Sequence, residues 1–186
     1  MDVSLTEARD ALRDVDKATA LSNQSRGYRI AAPYLILWGV IWIVGYGAQA
    51  LSAAILTGRL WLVLDVVGLL GSGVIASRER GKSGRQGKGL WRRLAAFATV
   101  FLFVAMTLAI MHPTEPAQYL VFPSLVLGLV YGLIGVFTLP KFLWIAAIVS
   151  GSAVLAFYFL QPWLSLCIAV TGGGGLVLGG LWMRRL

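Results

Sequence analysis

Asp65 is the one ionisable side chain set well inside an apolar stretch of this chain. A carboxylate in hydrocarbon costs about 2.5–3.5 kcal/mol at the bilayer centre on insertion scales, and less near an interface. An acid in such a place is expected to face a cavity or a partner. A carboxyl group withdrawn from water can also take up and release a proton as its surroundings change. Trp61, Gly68 and Ser72 recur with Asp65 at helical spacing, giving one small, polar face that should point into a bundle. On the preceding apolar stretch Tyr34, Trp38, Trp42, Tyr46 and Gln49 form a second stripe, with Gln49 near the same end as Asp65.

These residues make a candidate site for a small solute or ion. Asp65 is its proton- or cation-linked group, Gln49 and Ser72 its hydrogen-bonding groups, and Trp42 and Tyr46 its wall. The competing reading is structural: a hydrogen bond from Asp65 to Gln49, Tyr46 or Arg59 that holds two helices in register. Arg59, His112 and Glu115 belong to the same end of the molecule, and His112, which precedes Pro113, reads as a solvated loop residue.

Other chemistry finds little support. HExxH, CxxC, GxSxG and Walker motifs are missing from the sequence. Cys167 and His112 are the single members of their kinds, so an intrachain disulfide, a cysteine metal site and bis-histidine haem ligation are all ruled out within one chain. No second carboxylate lies in an apolar stretch to share acid–base work with Asp65. An enzyme is disfavoured, and neither a metal nor a cofactor is called for.

The elements that must position Asp65 are long. Six apolar stretches run over 31–51, 60–76, 94–111, 119–139, 142–160 and 163–182. A helix rises about 1.5 Å per residue, so roughly 20 residues cross a hydrocarbon core of about 30 Å. Only 13% of the 186 residues are charged and the mean hydropathy is +0.79, too little charge to cover a soluble domain. The apolar runs are continuous rather than alternating, which disfavours a β-barrel. The expected fold is an all-α integral membrane protein, a six-transmembrane-helix bundle over residues 30–186, preceded by a short amphipathic helix within residues 1–29.

Charge sets the expected orientation. Arg78, Arg80, Lys82, Arg85, Lys88, Arg92 and Arg93 lie between the second and third stretches, opposed by Glu79, and Arg184 and Arg185 stand near the end. Residues 112–118 carry no Lys or Arg. Basic residues near span ends stay cytoplasmic. Six spans then put both termini on the cytoplasmic side of the cell membrane. The basic loop lacks the GxxxxGK[ST] phosphate cradle, so nucleic acid and nucleotides are not expected partners. It reads as a topology anchor that meets anionic lipid headgroups, each basic residue contributing about 1 kcal/mol near the surface.

Residues 1–29 are polar and lack the form of a signal peptide, so the first span is expected to act as the insertion signal. Ser4 and Glu7 have capping-box spacing, and Leu5, Ala8, Leu12 and Val15 form an apolar stripe opposite Arg9, Asp10, Arg13, Asp14, Asp16 and Lys17. Five acids and five bases cancel over this segment, which suits a protein surface better than an anionic membrane. The stripe is expected to pack on the span ends, on a second copy of the chain, or on a cytoplasmic protein. The helix is expected to end near Ser22 to Ser25, with Gly27 as a break.

Two further patterns concern packing. Tyr34-Leu35 and Tyr46-Gly47 are echoed at the same spacing by Tyr119-Leu120 and Tyr131-Gly132, and Leu60-Trp61 by Leu143-Trp144 after a two-residue gap. With three spans per half this would be an inverted repeat, which places a site near the midplane between the halves. Thr171, Gly175 and Gly179 recur every four residues, a small-residue face for close helix packing within the bundle or across a homodimer. The glycine run 172–175 can also loosen its helix at mid-membrane. The expected function is a secondary transporter or channel for a small solute or ion. The alternative is a membrane-embedded regulatory or scaffold protein that binds a cytoplasmic partner through its N-terminal helix and basic loop.

Overall fold

A computed structural model describes residues 5–51, 57–83 and 90–185, and among these all regular structure is helical. Helix α1 spans Leu5–Leu51, α2 Thr57–Ser83, α3 Leu90–Met111, α4 Pro116–Phe137 and α5 Phe142–Phe159. A short 3-10 turn, Gln161–Trp163, leads into a last rod built from α6 (Leu164–Cys167), a π-helical stretch (Ile168–Gly173) and α7 (Gly174–Arg184).

Helix α1 is unbroken for 47 residues, so the expected stop near Ser22 to Ser25 does not occur and the helix runs on through Gly27. The reason is tertiary. A glycine in a helix costs about 1 kcal/mol against alanine, yet here its bare backbone lets Leu139 of the α4–α5 turn approach. A Cβ at Gly27 would lie 3.0 Å from a Leu139 methyl. The next residue, Tyr28, is buried, and its hydroxyl accepts the backbone N–H of Lys141 at 3.1 Å. The Lys141 ammonium in turn lies over the rings of Tyr28 (5.3 Å) and Trp182 (4.7 Å). This cation–π clamp ties the start of the α1 apolar run, the α4–α5 turn and the end of α7 together.

Contacts along α1 give the direction of each helix. Gly45 receives the Trp61 ring, Gly68 packs on Trp38 and Ile41, and Gly71 on Leu37, so α2 runs antiparallel to α1. Gly173 packs on Ile43 and Gly39, and Gly180 on Ile36 and Ala32, so the last rod is antiparallel to α1 as well. The Tyr46 hydroxyl donates to the Leu120 carbonyl at 3.2 Å while Gly27 meets Leu139, which makes α4 antiparallel too. Arg26, Arg29, Lys141, Arg184 and Arg185 therefore share one end, and Arg78, past Gly71 on α2, points to that end. Gln49 and Arg59 belong to the other.

The core lies where α1, α4, α5 and the last rod meet, with Leu35, Val149, Ala153, Leu164, Ile168 and Leu176 almost wholly buried. Helix α2 makes its principal contact with α1, and α3 with α4. Both turn a wide apolar face outward, including Leu62, Val63, Val66 and Leu70 on α2 and Phe101, Leu102, Phe103 and Met106 on α3. Exposed apolar patches of this extent are foreign to a water-soluble monomer.

Among the described residues, five helices are long and apolar enough to cross a membrane: α1, α2, α4, α5 and the last rod. Six were expected. Helix α3 runs Leu90–Met111, 22 residues, and its described apolar stretch is Ala98–Met111. Helix α1 packs extensively on α7 and also on α2, and α4 extensively on α5 but only slightly on α3, while α5 also packs on the last rod. Tyr46 meets Trp61 edge-on at 4.9 Å, and Tyr131 meets Phe142 edge-on at 5.3 Å. The expected partner Trp144 is instead 69% exposed.

Candidate functional site

Small residues on α1 and α2 bring the two helices close enough to place Asp65. Trp61 seats on Gly45 and Trp38 on Gly68, where a methyl group would come within 2.7 Å and 2.8 Å of the rings. Asp65 lies between these two contacts, one turn from Trp61. It is half-buried and lines a half-open chamber of about 440 Å³ among α1, α2, α3 and α4. Trp38 and Trp42 come from α1, Phe101 and Val104 from α3, and Pro123 and Tyr131 from α4. Among the described residues, no side chain hydrogen-bonds to Asp65 or forms an ion pair with it. The expected structural alternatives, a bond to Gln49, Tyr46 or Arg59, are not formed. Tyr46 directs its hydroxyl to Leu120, and Arg59 is exposed.

Of the five residues expected to share one site, Asp65 and Trp42 do line the same chamber. Tyr46 stands behind Trp42, edge-on at 5.4 Å, within electrostatic reach of Asp65. Ser72 lies in a second chamber, of about 580 Å³, toward the basic end, with Tyr34, Leu35 and Phe142. Trp38 and Tyr131 line both chambers, so they form the partition between them. The Trp38 indole N–H donates to Ser72 Oγ at 3.3 Å, which fixes one edge of that partition. Gln49 lines neither chamber, and its Oε1 is buried without a hydrogen-bond partner.

Sequence reasoning missed three contributors. Phe101 lay in an apolar run with no polar mark. Tyr131 carries the repeat spacing, which gives no sign of the site. Ser124 is fully buried on α4, and its hydroxyl adjoins the Tyr46 phenol without meeting hydrogen-bond geometry to any group. The only available signal for Ser124 was a hydroxyl within an apolar stretch, one turn after Leu120.

The small-residue face Thr171, Gly175 and Gly179 meets α5 of the same chain. Thr171 Oγ1 donates to Ser152 Oγ at 2.8 Å, while Gly175 faces Ile148 and Gly179 faces Ile145. A second face, Gly173 and Gly180, makes the closer approach to the α1 backbone. The π-helical stretch covers the first half of the glycine run, and such bulges recur at functional sites. Of the basic cluster, Arg78 is exposed, Arg80 and Lys82 fall in the last turns of α2, and Arg92 and Arg93 in the first turn of α3. Arg85 and Lys88 lie outside the described residues. His112 ends α3 with a positive φ of 38° and is exposed. No family model, curated protein or solved structure matches this chain.

Proposed function

We propose that this chain is a small secondary transporter of the cell membrane in which Asp65 binds the solute or a coupled proton. The observation that carries the reading is an acid without a counter-charge among the described residues, in the wall of an apolar chamber among four helices. Such an acid is costly to keep, and intramembrane acids mark ion and solute paths. One carboxylate cannot hold a proton and a cationic group at once, so the two compete and exchange. The second chamber extends the path toward the basic end, with the Trp38–Tyr131 partition between them.

In this reading α3 is the sixth span, its basic first turn at the cytoplasmic surface with Arg78, Arg184 and Arg185. Both termini are then cytoplasmic, and the basic loop meets anionic headgroups. The matched Tyr-Leu and Tyr-Gly spacings of α1 and α4 are the support for an inverted 3+3 repeat, which would set the chamber between the halves. The test is a thermal-shift screen of small solutes over pH in detergent, wild type beside Asp65→Asn. A solute that binds the native state raises the melting temperature by mass action. Shifts present in the wild type and lost in Asp65→Asn support the reading, and equal shifts in both proteins sink it.

A second reading rests on a separate observation. Leu12 and Val15 on the early turns of α1 are 65% and 61% exposed, so among the described residues nothing covers this part of the stripe. In that reading the segment docks a cytoplasmic protein or a second copy, and the protein is regulatory. Deleting residues 1–25 would then abolish function while insertion stays intact, and a silent deletion removes this reading.

A further inference from the structure

We infer that the ligand of the Asp65 chamber is a lipophilic organic cation, an aromatic amine or quaternary ammonium compound. The inference rests on the proposal that this chamber is the solute site, and its chemistry comes from what the walls offer and what they withhold.

The walls offer one carboxylate and the aromatic rings of Trp38, Trp42 and Tyr131, with the largely exposed Phe101 at the rim. Among the described residues they hold no Lys, Arg or His, so an anion would meet the Asp65 charge with nothing to offset it. A hard metal cation needs about six oxygen ligands. Beyond Asp65 the described lining side chains supply one oxygen, the Tyr131 hydroxyl, and no three His, Cys, Asp or Glu side chains come together among the described residues. A sugar or other polar neutral solute would lose its water and find few hydrogen-bond groups in return. An apolar neutral solute would close the chamber over an unpaired carboxylate.

A bulky organic cation meets each of these constraints. Its charge pairs with Asp65. Its weakly hydrated substituents lie against tryptophan faces, the best of the side-chain rings for cations. A chamber of about 440 Å³ falls within the roughly 300–1,000 Å³ common for small-molecule sites. Binding should therefore compete with protonation of the same carboxyl, and weaken as pH falls.

The test compares two probes of one shape and opposite charge, tetraphenylphosphonium and tetraphenylborate. Binding to the purified full chain in detergent is read by equilibrium dialysis across pH, for wild type, Asp65→Asn, Asp65→Glu and Trp42→Ala. Monodispersity and melting temperature show that each variant is folded. The expected result is phosphonium binding that weakens at least tenfold in Asp65→Asn, about 1.4 kcal/mol, survives in part in Asp65→Glu, and drops in Trp42→Ala. Wild-type affinity should fall with pH, and the affinity left in Asp65→Asn should be flat. Equal phosphonium binding in wild type and Asp65→Asn overturns the inference, as does a preference for borate. If a neutral or anionic solute instead shows Asp65-dependent binding in the thermal-shift screen, the site stands and the cation class falls. If no solute of any class depends on Asp65, both fall.

Discussion

Asp65 stands in the wall of an apolar chamber, and no described side chain pairs with its carboxylate. Its charge stands out in an apolar stretch, and its helical spacing from Trp61, Gly68 and Ser72 gave the face that packs on α1. The company it keeps was less legible. Helical spacing sorts residues onto faces but does not say how far along a neighbouring helix each face reaches. Ser72, two turns on from Asp65, therefore falls in the next chamber, and Gln49 in neither. Two outcomes follow for stability. Because no described group pairs with the Asp65 carboxylate, Asp65→Asn should melt at or above the wild-type temperature in detergent. A drop of several degrees would expose a structural partner. Ser124 is fully buried with its hydroxyl unmatched. An unmet buried hydroxyl costs about 1–3 kcal/mol, so Ser124→Ala should hold or raise thermal stability, and a clear loss would mean that the hydroxyl has a partner after all.

At the scale of elements, the existence of each helix was readable from apolar run length, and the ends were not. Helix α1 runs past Gly27 because Leu139 and Lys141, more than a hundred residues away, pack on that turn. Local propensity carries no trace of such a contact. The last rod shows the same limit. Thr171, Gly175 and Gly179 were visible as a small-residue face, and they meet α5. The tighter seam runs through Gly39, Gly173 and Gly180, where two backbones approach. A Cβ on Gly173 would sit 2.8 Å from the Ile43 nitrogen and 2.9 Å from the Gly39 carbonyl, whereas a Cβ on Gly174 would meet nothing within 4 Å. Overpacking of this kind costs about 1–3 kcal/mol, while an unobstructed glycine-to-alanine change in a helix gains up to about 1 kcal/mol. Gly173→Ala should lower the melting temperature, and its neighbour Gly174→Ala should leave it unchanged or raise it. The same sign for both would refute the seam.

For the whole molecule, hydropathy and charge carried most of the class, and the number of spans turns on α3. Its first turn holds Trp91, Arg92 and Arg93 ahead of the apolar run, and whether it crosses decides on which side the last rod ends. Single cysteines in a Cys167→Ser background decide the matter. If α3 crosses, an impermeant thiol reagent added outside right-side-out vesicles labels Glu115→Cys and spares Arg78→Cys and Arg184→Cys. Labelling of Arg78→Cys and Glu115→Cys from one side would leave five spans and separate the termini.

The most direct test of the Asp65 chamber as a transport site is uptake of an impermeant, radiolabelled aromatic quaternary ammonium compound into proteoliposomes. An outward proton gradient is imposed, and the interior carries a pH-sensitive dye. The account predicts that wild-type vesicles accumulate the cation while protons leave, and that Asp65→Asn vesicles, with protein inserted to the same extent, do neither. Uptake and proton movement of equal size in the two would contradict it.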